Sequence, residues 1–212
     1  MLSNQVQINV PAGLTFASGL RSFLRQDPNI IMVGEVRDRE TTDLAIQASL
    51  TGHLVFSTLH TNNAAGALPR LLDMQAEPYL IASTVTCVVG QRVVRNVCPT
   101  CKTPRVVTPE VLKNIKEIVG DLYDFSKHPN VQAYVGKGCK ECNNTGYLGR
   151  VGIFEVLVIT EKIGSMILAR QTSSLLEKEA IAEGMITMKQ DGFLKVLEGV
   201  TTIEEVLRVA EE

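Results

Sequence analysis

Two apolar runs, "IIMVG" from Ile30 and "LVFSTLH" from Leu54, flank the segment "RETTDLAIQASL" in this 212-residue chain. No other feature constrains the fold as strongly. A short apolar run with no polar alternation suits a strand buried on both faces. The intervening segment reads as a helix that Gly52 stops. Strand, helix, strand in that order implies a parallel pair, because parallel neighbours need a crossover connection. The flanks continue the alternation. "QVQINV" reads as a short strand, and "TFASGLRSFLRQ" as a helix with Phe16, Leu20, Phe23 and Leu24 on one face. "DPN" is a turn, "NAAGALPRLLDM" is helical with a disturbance at Pro69, and Pro78 opens a long apolar helix through "PYLIASTVTCVVG".

Beyond residue 97 the pattern changes. Two C-x-x-C pairs, "CPTC" and "CKEC", stand 37 residues apart with a helix-like "PEVLKNIKEIVGDL" between them. After "GYLGRVGIFEVLVI" the chain reads as all-helical: "EKIGSMILAR", "SSLLEKEAIAEG", "TMKQDGFLKVLEG" and "TIEEVLRVAEE", separated by Gly or Ser/Thr caps. This gives three regions, 1–96, 97–145 and 146–212, with no internal repeat.

Composition excludes several classes. A net charge of -2 lacks the basic excess of a dedicated nucleic-acid binder. The longest apolar stretch is broken by Ser83, Thr84 and Thr86, so no membrane span is expected, and "MLSNQVQINV" shows no secretory signal. Four of the five cysteines fall in the two C-x-x-C pairs, in a chain too long and too regular for a disulfide scaffold. Cys98, Cys101, Cys139 and Cys142 therefore read as a tetrahedral metal site in a reducing compartment. Four thiolates leave no open coordination position, which makes the site structural. An iron–sulfur centre, a redox pair or a nucleic-acid-reading zinc ribbon are the lesser readings. Cys87 reads as a small core residue.

Chemistry is expected at the strand ends, where loops of a parallel sheet converge. Glu35 follows the first apolar run and His60 the second. Such a pair suits phosphoryl transfer: a carboxylate can position Mg²⁺ or polarise an attacking water, and a histidine can sense the terminal phosphate. The competing reading makes Glu35 part of a surface ion network with Arg37 or Arg39. His53 and His60 lie seven residues apart across one strand, too far to share a metal ion, and His128 reads as loop decoration. Arg21 and Arg25 share a helical face; with Arg37, Arg70 and Arg150 they form a set that could clamp phosphate or act between subunits.

The stretch "GLTFASGLRSFLRQDPNIIMVGEVRDRETTDLAIQASLTGHLVFSTLHTN" resembles the ATPases of type II secretion and type IV pilus assembly. The resemblance covers nearly the whole chain. It implies an α/β fold: a partial RecA-like P-loop NTPase core over 1–96, a tetracysteine zinc subdomain over 97–145 and a mainly helical subdomain over 146–212. In such ATPases "IIMVGEVRD" is the Walker B segment and "TGHLVFSTLHTN" the histidine box. By resemblance Glu35 is the Walker B glutamate, His53 and His60 are box histidines, and Arg21, Arg25, Arg37, Arg70 and Arg150 bind nucleotide or act at subunit boundaries. The implied cofactors are ATP with Mg²⁺ and structural Zn²⁺. The implied partners are further copies in a hexameric ring and platform proteins, on the cytoplasmic side of the bacterial inner membrane. Two departures stand out. Asn29 replaces a more usual Asp in a turn, and no G-K-S or G-K-T occurs anywhere, so the phosphate-cradling P-loop is absent. The chain is therefore expected to be the C-terminal part of a longer ATPase, inactive alone; the alternative is a non-catalytic, zinc-stabilised docking module.

Overall fold

The computed structural model describes residues 4–128 and 131–210. Residues 1–3 and 211–212 lie outside the described residues, so the expected last helix, "TIEEVLRVAEE", extends beyond that range. Two compact units interleave in the sequence, one of Met1–Val88 with Val158–Glu179 and one of Val89–Leu157 with Ala180–Glu212.

In the first unit, α1 (Phe16–Phe23) starts at Thr15, whose hydroxyl accepts from Ser18 N while the Ser18 side chain accepts from Thr15 N, a reciprocal cap. β1 (Ile30–Val33) leads to α2 (Arg39–Leu50), which Asp38 caps by accepting from Thr41 N at 2.8 Å. β2 (Leu54–Ser57) then pairs parallel with β1, in the register Ile30↔Leu54 to Val33↔Ser57. The sequence implied this crossover pair. Its burial differs from the expectation. Ile31 and Val33 face a core with Ala17, Leu20, Leu44, Ala48 and Met74. Ile30 and Met32 are 52% and 63% exposed, and Leu54 and Phe56 opposite them are about as open. The helices α1 and α2 cover one face only, so these strands are buried on one side among the described residues.

Four further expectations are corrected. "QVQINV" forms no strand: Asn9 makes one isolated bridge to Leu14, and Val10–Ala12 is a 3₁₀ turn. Pro69 disturbs nothing, because α3 (Ala67–Asp73) starts just before it. In a helix's first turn the N–H that proline lacks would have no intrahelical acceptor anyway. The helix opened by Pro78 is short: α4 (Pro78–Thr84) ends where Val85 turns extended, and β3 (Cys87–Val97) follows. The run Thr84–Val85–Thr86 is β-branched, and such residues lose χ1 freedom in a helix. Cys87 is exposed on β3 and is no core residue; Val89, Gln91 and Val93 share its outward face.

The second unit is built from β3, β4 (Lys102–Val106), α5 (Pro109–Val119), β5 (Gln132–Gly136), β6 (Tyr147–Val158), α8 (Met188–Leu197) and α9 (Ile203–Ala210). β4 and β5 pair antiparallel, from Lys102↔Gly136 to Val106↔Gln132. β3 pairs with β6, and the N–H of Ile159 on Thr86 O and of Cys98 on Gly146 O set them in opposite directions. One core joins Ile115 and Val119 of α5 to Ala133, Phe193, Val196 and Val206. Another joins Val94, Ile153, Met188 and Val209. The expected helices after β6 form, including α6 (Glu161–Leu168) and α7 (Ser173–Ala182). No helix among the described residues is long and apolar enough to cross a membrane.

Candidate functional site

The parallel register of β1 and β2 brings both carboxyl ends to one edge, where β1 runs through Gly34 to Glu35 and β2 through Thr58 and Leu59 to His60. Two hydrogen bonds join these exits. Val36 N donates to Thr58 O at 3.1 Å, and Thr58 Oγ1 donates to Gly34 O at 2.6 Å. Val36 itself is buried in the core, so Glu35 is held between two fixed neighbours.

The Glu35 side chain is 20% exposed, with Oε1 3.0 Å from His60 Nε2 and Oε2 2.5 Å from Arg37 Nη2. The hydrogen bond from Arg37 is the main reason its carboxyl ionises below the usual range; burial works against this, and the charges of Arg37 and His60 add to the lowering. Glu35 in turn raises the proton affinity of Arg37. Arg37 and His60 are both largely exposed. The result is an ionised carboxylate at a sheet edge, flanked by a guanidinium and an imidazole. Such a group can orient a water molecule and is a weak base.

The other expected site residues make no ion pair with Glu35 among the described residues. His53 stands at the opposite end of β2, where its Nδ1 is 2.9 Å from Ala48 O and 3.0 Å from Thr51 Oγ1. A carbonyl only accepts, so Nδ1 carries the proton and closes the C-terminal end of α2. At a strand's rise, seven residues separate His53 from His60 by about 20 Å. Arg21 pairs with Glu40 at 2.8 Å, and Arg39 pairs with Asp43 rather than Glu35. Arg25 and Arg70 are exposed in the first unit and Arg150 is exposed on β6 in the second; these three make no ion pair among the described residues. The structure thus joins Glu35 to Arg37 and His60, while His53, Arg21, Arg25 and Arg70 make no ion pair with Glu35 among the described residues.

Sequence reasoning missed Thr58. Its only signal was its place in "STLH", between the strand and His60.

The four cysteines converge. Cys98 leaves the end of β3, Cys142 precedes β6, and all four Sγ atoms lie within 4.8 Å of one another. Three of the separations are 3.8 Å (Cys98–Cys139), 3.9 Å (Cys101–Cys142) and 3.7 Å (Cys139–Cys142). A tetrahedron with zinc–sulfur bonds of about 2.3 Å has edges of about 3.8 Å, so the set fits a zinc ion. Backbone N–H groups also point at sulfur: Gly138 at Cys101 (3.3 Å), and Cys139 and Gly146 at Cys142 (3.2 and 3.3 Å). Burial opposes a thiolate at Cys142, yet the two backbone donors, with Cys139 and Cys101 beside it, bring its pKa to about 6. Burial pushes Cys101 up to about 11, with Gly138 as its one opposing donor. The turn relies on left-handed Asn143 and Asn144 (φ 49° and 59°) and on contact between Gly136 and Gly146. A Cβ on Gly136 would lie 2.0 Å from Gly146 O, and one on Gly146 would lie 2.5 Å from Gly136 O.

A family model described as "Type II/IV secretion system protein" matches residues 2–208. The chain belongs to that family. Within this secretion-system family, it is 46% identical over 204 residues to the type IV pilus assembly ATPase PilB of Thermus thermophilus, covering 96% of this chain and 22% of that protein. It is also 46% identical over 209 residues to the type II secretion system protein E of Aeromonas hydrophila, covering 98% of this chain and 40% of that protein. The chain therefore spans well under half the length of these curated relatives. Among solved structures, the Legionella pneumophila ATPase DotB aligns with a TM-score of 0.61 at 24% identity, over 97% of this chain and 45% of that one. The pilus retraction motor PilT with bound ADP gives 0.61 at 24% identity, over 93% and 44%. At that identity the structures share the α/β fold.

Proposed function

We propose that this chain is the C-terminal part of a RecA-like P-loop ATPase that hydrolyses ATP, with Mg²⁺, to drive type II secretion or type IV pilus assembly. The observation that carries the reading is the convergence of Glu35 and His60 at the carboxyl ends of two adjacent parallel strands. Glu35 orients a water molecule for attack on the terminal phosphorus, and His60 faces the departing phosphate. The bond from phosphorus to the bridging oxygen of ADP breaks as the water oxygen bonds, and the water's proton leaves with phosphate or solvent. A carboxylate kept ionised by Arg37 suits orientation better than proton abstraction. Of the remaining arginines, Arg25, Arg70 and Arg150 are open to act on nucleotide or across a subunit boundary, and Arg21 would first have to leave Glu40. His53 serves the site indirectly, by fixing the start of β2.

Cys98, Cys101, Cys139 and Cys142 would hold zinc, which contributes folding energy to the 97–145 segment and takes no part in hydrolysis. The complete protein would work as a hexameric ring on the cytoplasmic face of the inner membrane, against platform proteins. The lack of any G-K-S or G-K-T supports a division of labour in which a separate segment cradles the phosphates. The test is the Glu35→Gln variant of the complete ATPase. Hydrolysis should fall at least a hundredfold with ATP still bound; a normal rate would remove Glu35 from the mechanism.

A further inference from the structure

The Glu35 carboxylate is governed by neighbours that belong to its own chain. Thr58 grips the backbone on both sides of Glu35: its hydroxyl donates to Gly34 O at 2.6 Å, and its carbonyl accepts from Val36 N at 3.1 Å. Buried Val36 prevents that segment from twisting away. Arg37 returns from two residues on to engage one carboxylate oxygen, and His60 engages the other. A carboxylate with one oxygen per donor has a fixed plane, and its remaining lone pairs point in fixed directions. Orientation of that kind is what a water-positioning group requires.

Resting on the functional reading above, we infer that Thr58 and Arg37 are positioning residues acting through Glu35 within one subunit: Thr58 sets the backbone on either side of it and Arg37 sets its carboxylate. Arg37 is thereby distinguished from Arg25, Arg70 and Arg150, whose guanidinium groups have no carboxylate partner among the described residues. Thr58 is tied to the chemistry although its own side chain ends on a backbone carbonyl. Loss of one such hydrogen bond corresponds to about a three- to tenfold change in rate when the bond matters only to reactive geometry.

The experiment compares steady-state ATP hydrolysis by the complete ATPase as Thr58→Val, Thr58→Ser, Arg37→Gln, Arg37→Lys and Glu35→Gln variants. Thr58→Val keeps the side-chain shape and removes the hydroxyl. It should lower kcat about three- to tenfold with KM for ATP changed less than about twofold, and Thr58→Ser should restore the rate. The charged groups facing Glu35 are Arg37 on its own loop and His60 from the exit of β2. Arg37→Gln should therefore shift the acid limb of kcat/KM to higher pH, and Arg37→Lys should reverse most of that shift. Two results overturn the inference: an unchanged kcat for Thr58→Val, or an Arg37→Gln variant that loses ATP affinity with its acid limb unmoved. Arg37 is exposed, so its variants carry the test even if Thr58→Val fails to fold. Glu35→Gln hydrolysing at the normal rate overturns the functional reading instead, so the two failures are distinguishable.

Discussion

Replacing Glu205 with glutamine should cost this chain stability in a pH-dependent way. Glu205 of α9 is 2% exposed and its carboxylate takes four hydrogen bonds. Arg95 donates through its backbone N–H at 2.9 Å and through Nη2 at 2.6 Å; Arg208 donates through Nε at 3.1 Å and Nη2 at 2.9 Å. Arg95 also lies 4.1 Å from the Tyr147 ring centroid, and Tyr147 reaches Thr202 at 3.1 Å, so one node ties α9 to both β3 and β6. Burial alone would raise the carboxyl's pKa; the donors from Arg95 and Arg208 outweigh it and bring the value from 4.5 to about 2.

The folded value lies below the unfolded one. The stabilisation is therefore complete above about pH 4.5 and is lost as pH falls toward 2. That displacement corresponds to about 3 kcal/mol, and because both guanidinium groups are half exposed, solvent screening reduces it to about 2 kcal/mol. Glu205→Gln should accordingly unfold at lower urea concentration near pH 7, and melt lower by about 4–8 °C. Urea titrations followed by far-UV circular dichroism at pH 7, 5, 4 and 3 give the comparison. The difference between the two proteins should hold from pH 7 to 5 and fall by more than half by about pH 3. A difference that is absent, or that stays constant down to pH 3, would refute the reasoning.

Four further outcomes are expected. The purified chain should carry about one zinc by elemental analysis; Cys142→Ala should lose it and Cys87→Ala should keep it, since Cys87 lies outside the quartet. Chelation should raise hydrogen exchange over residues 98–142 before it reaches β1 and β2, and uniform loss of protection would contradict a local metal role. Gly146→Ala should destabilise the second unit by about 2–4 kcal/mol in a denaturant titration, because its Cβ would strike Gly136 O and its φ is +78°. The 212-residue chain without a P-loop partner should show little ATP binding by calorimetry, and tight binding would refute the account of the missing phosphate cradle.

Much of this was legible in the residues, for identifiable reasons. The β1–α2–β2 crossover could be read because strand and helix periods differ and Gly52 separates them. The cysteine quartet could be read because thiols in paired C-x-x-C motifs have few other uses. The start of β3, from Cys87 to Gly90, reads as helix because a short apolar run after a good helix start has no period of its own, and only the β-branching from Thr84 onward marks the change. The open face of Ile30 and Met32 was invisible because apolar character reports which residues avoid water, not which element covers them. Thr58 was overlooked because its contribution is a hydroxyl on a carbonyl of the neighbouring strand exit. Glu205 was overlooked because its partner Arg95 lies 110 residues away in sequence.

That open face has a practical consequence for anyone handling the chain. Ile30, Met32, Leu54 and Phe56 form a half-exposed apolar patch on a two-stranded sheet whose outer edges are unpaired among the described residues. Such edges recruit other strands, and such patches recruit each other. The purified protein should therefore become colloidally unstable as it is concentrated, with light scattering per unit mass rising with concentration. A Met32→Lys/Phe56→Lys pair should keep it monodisperse, which makes that variant the better starting material for solution spectroscopy of the tetracysteine unit.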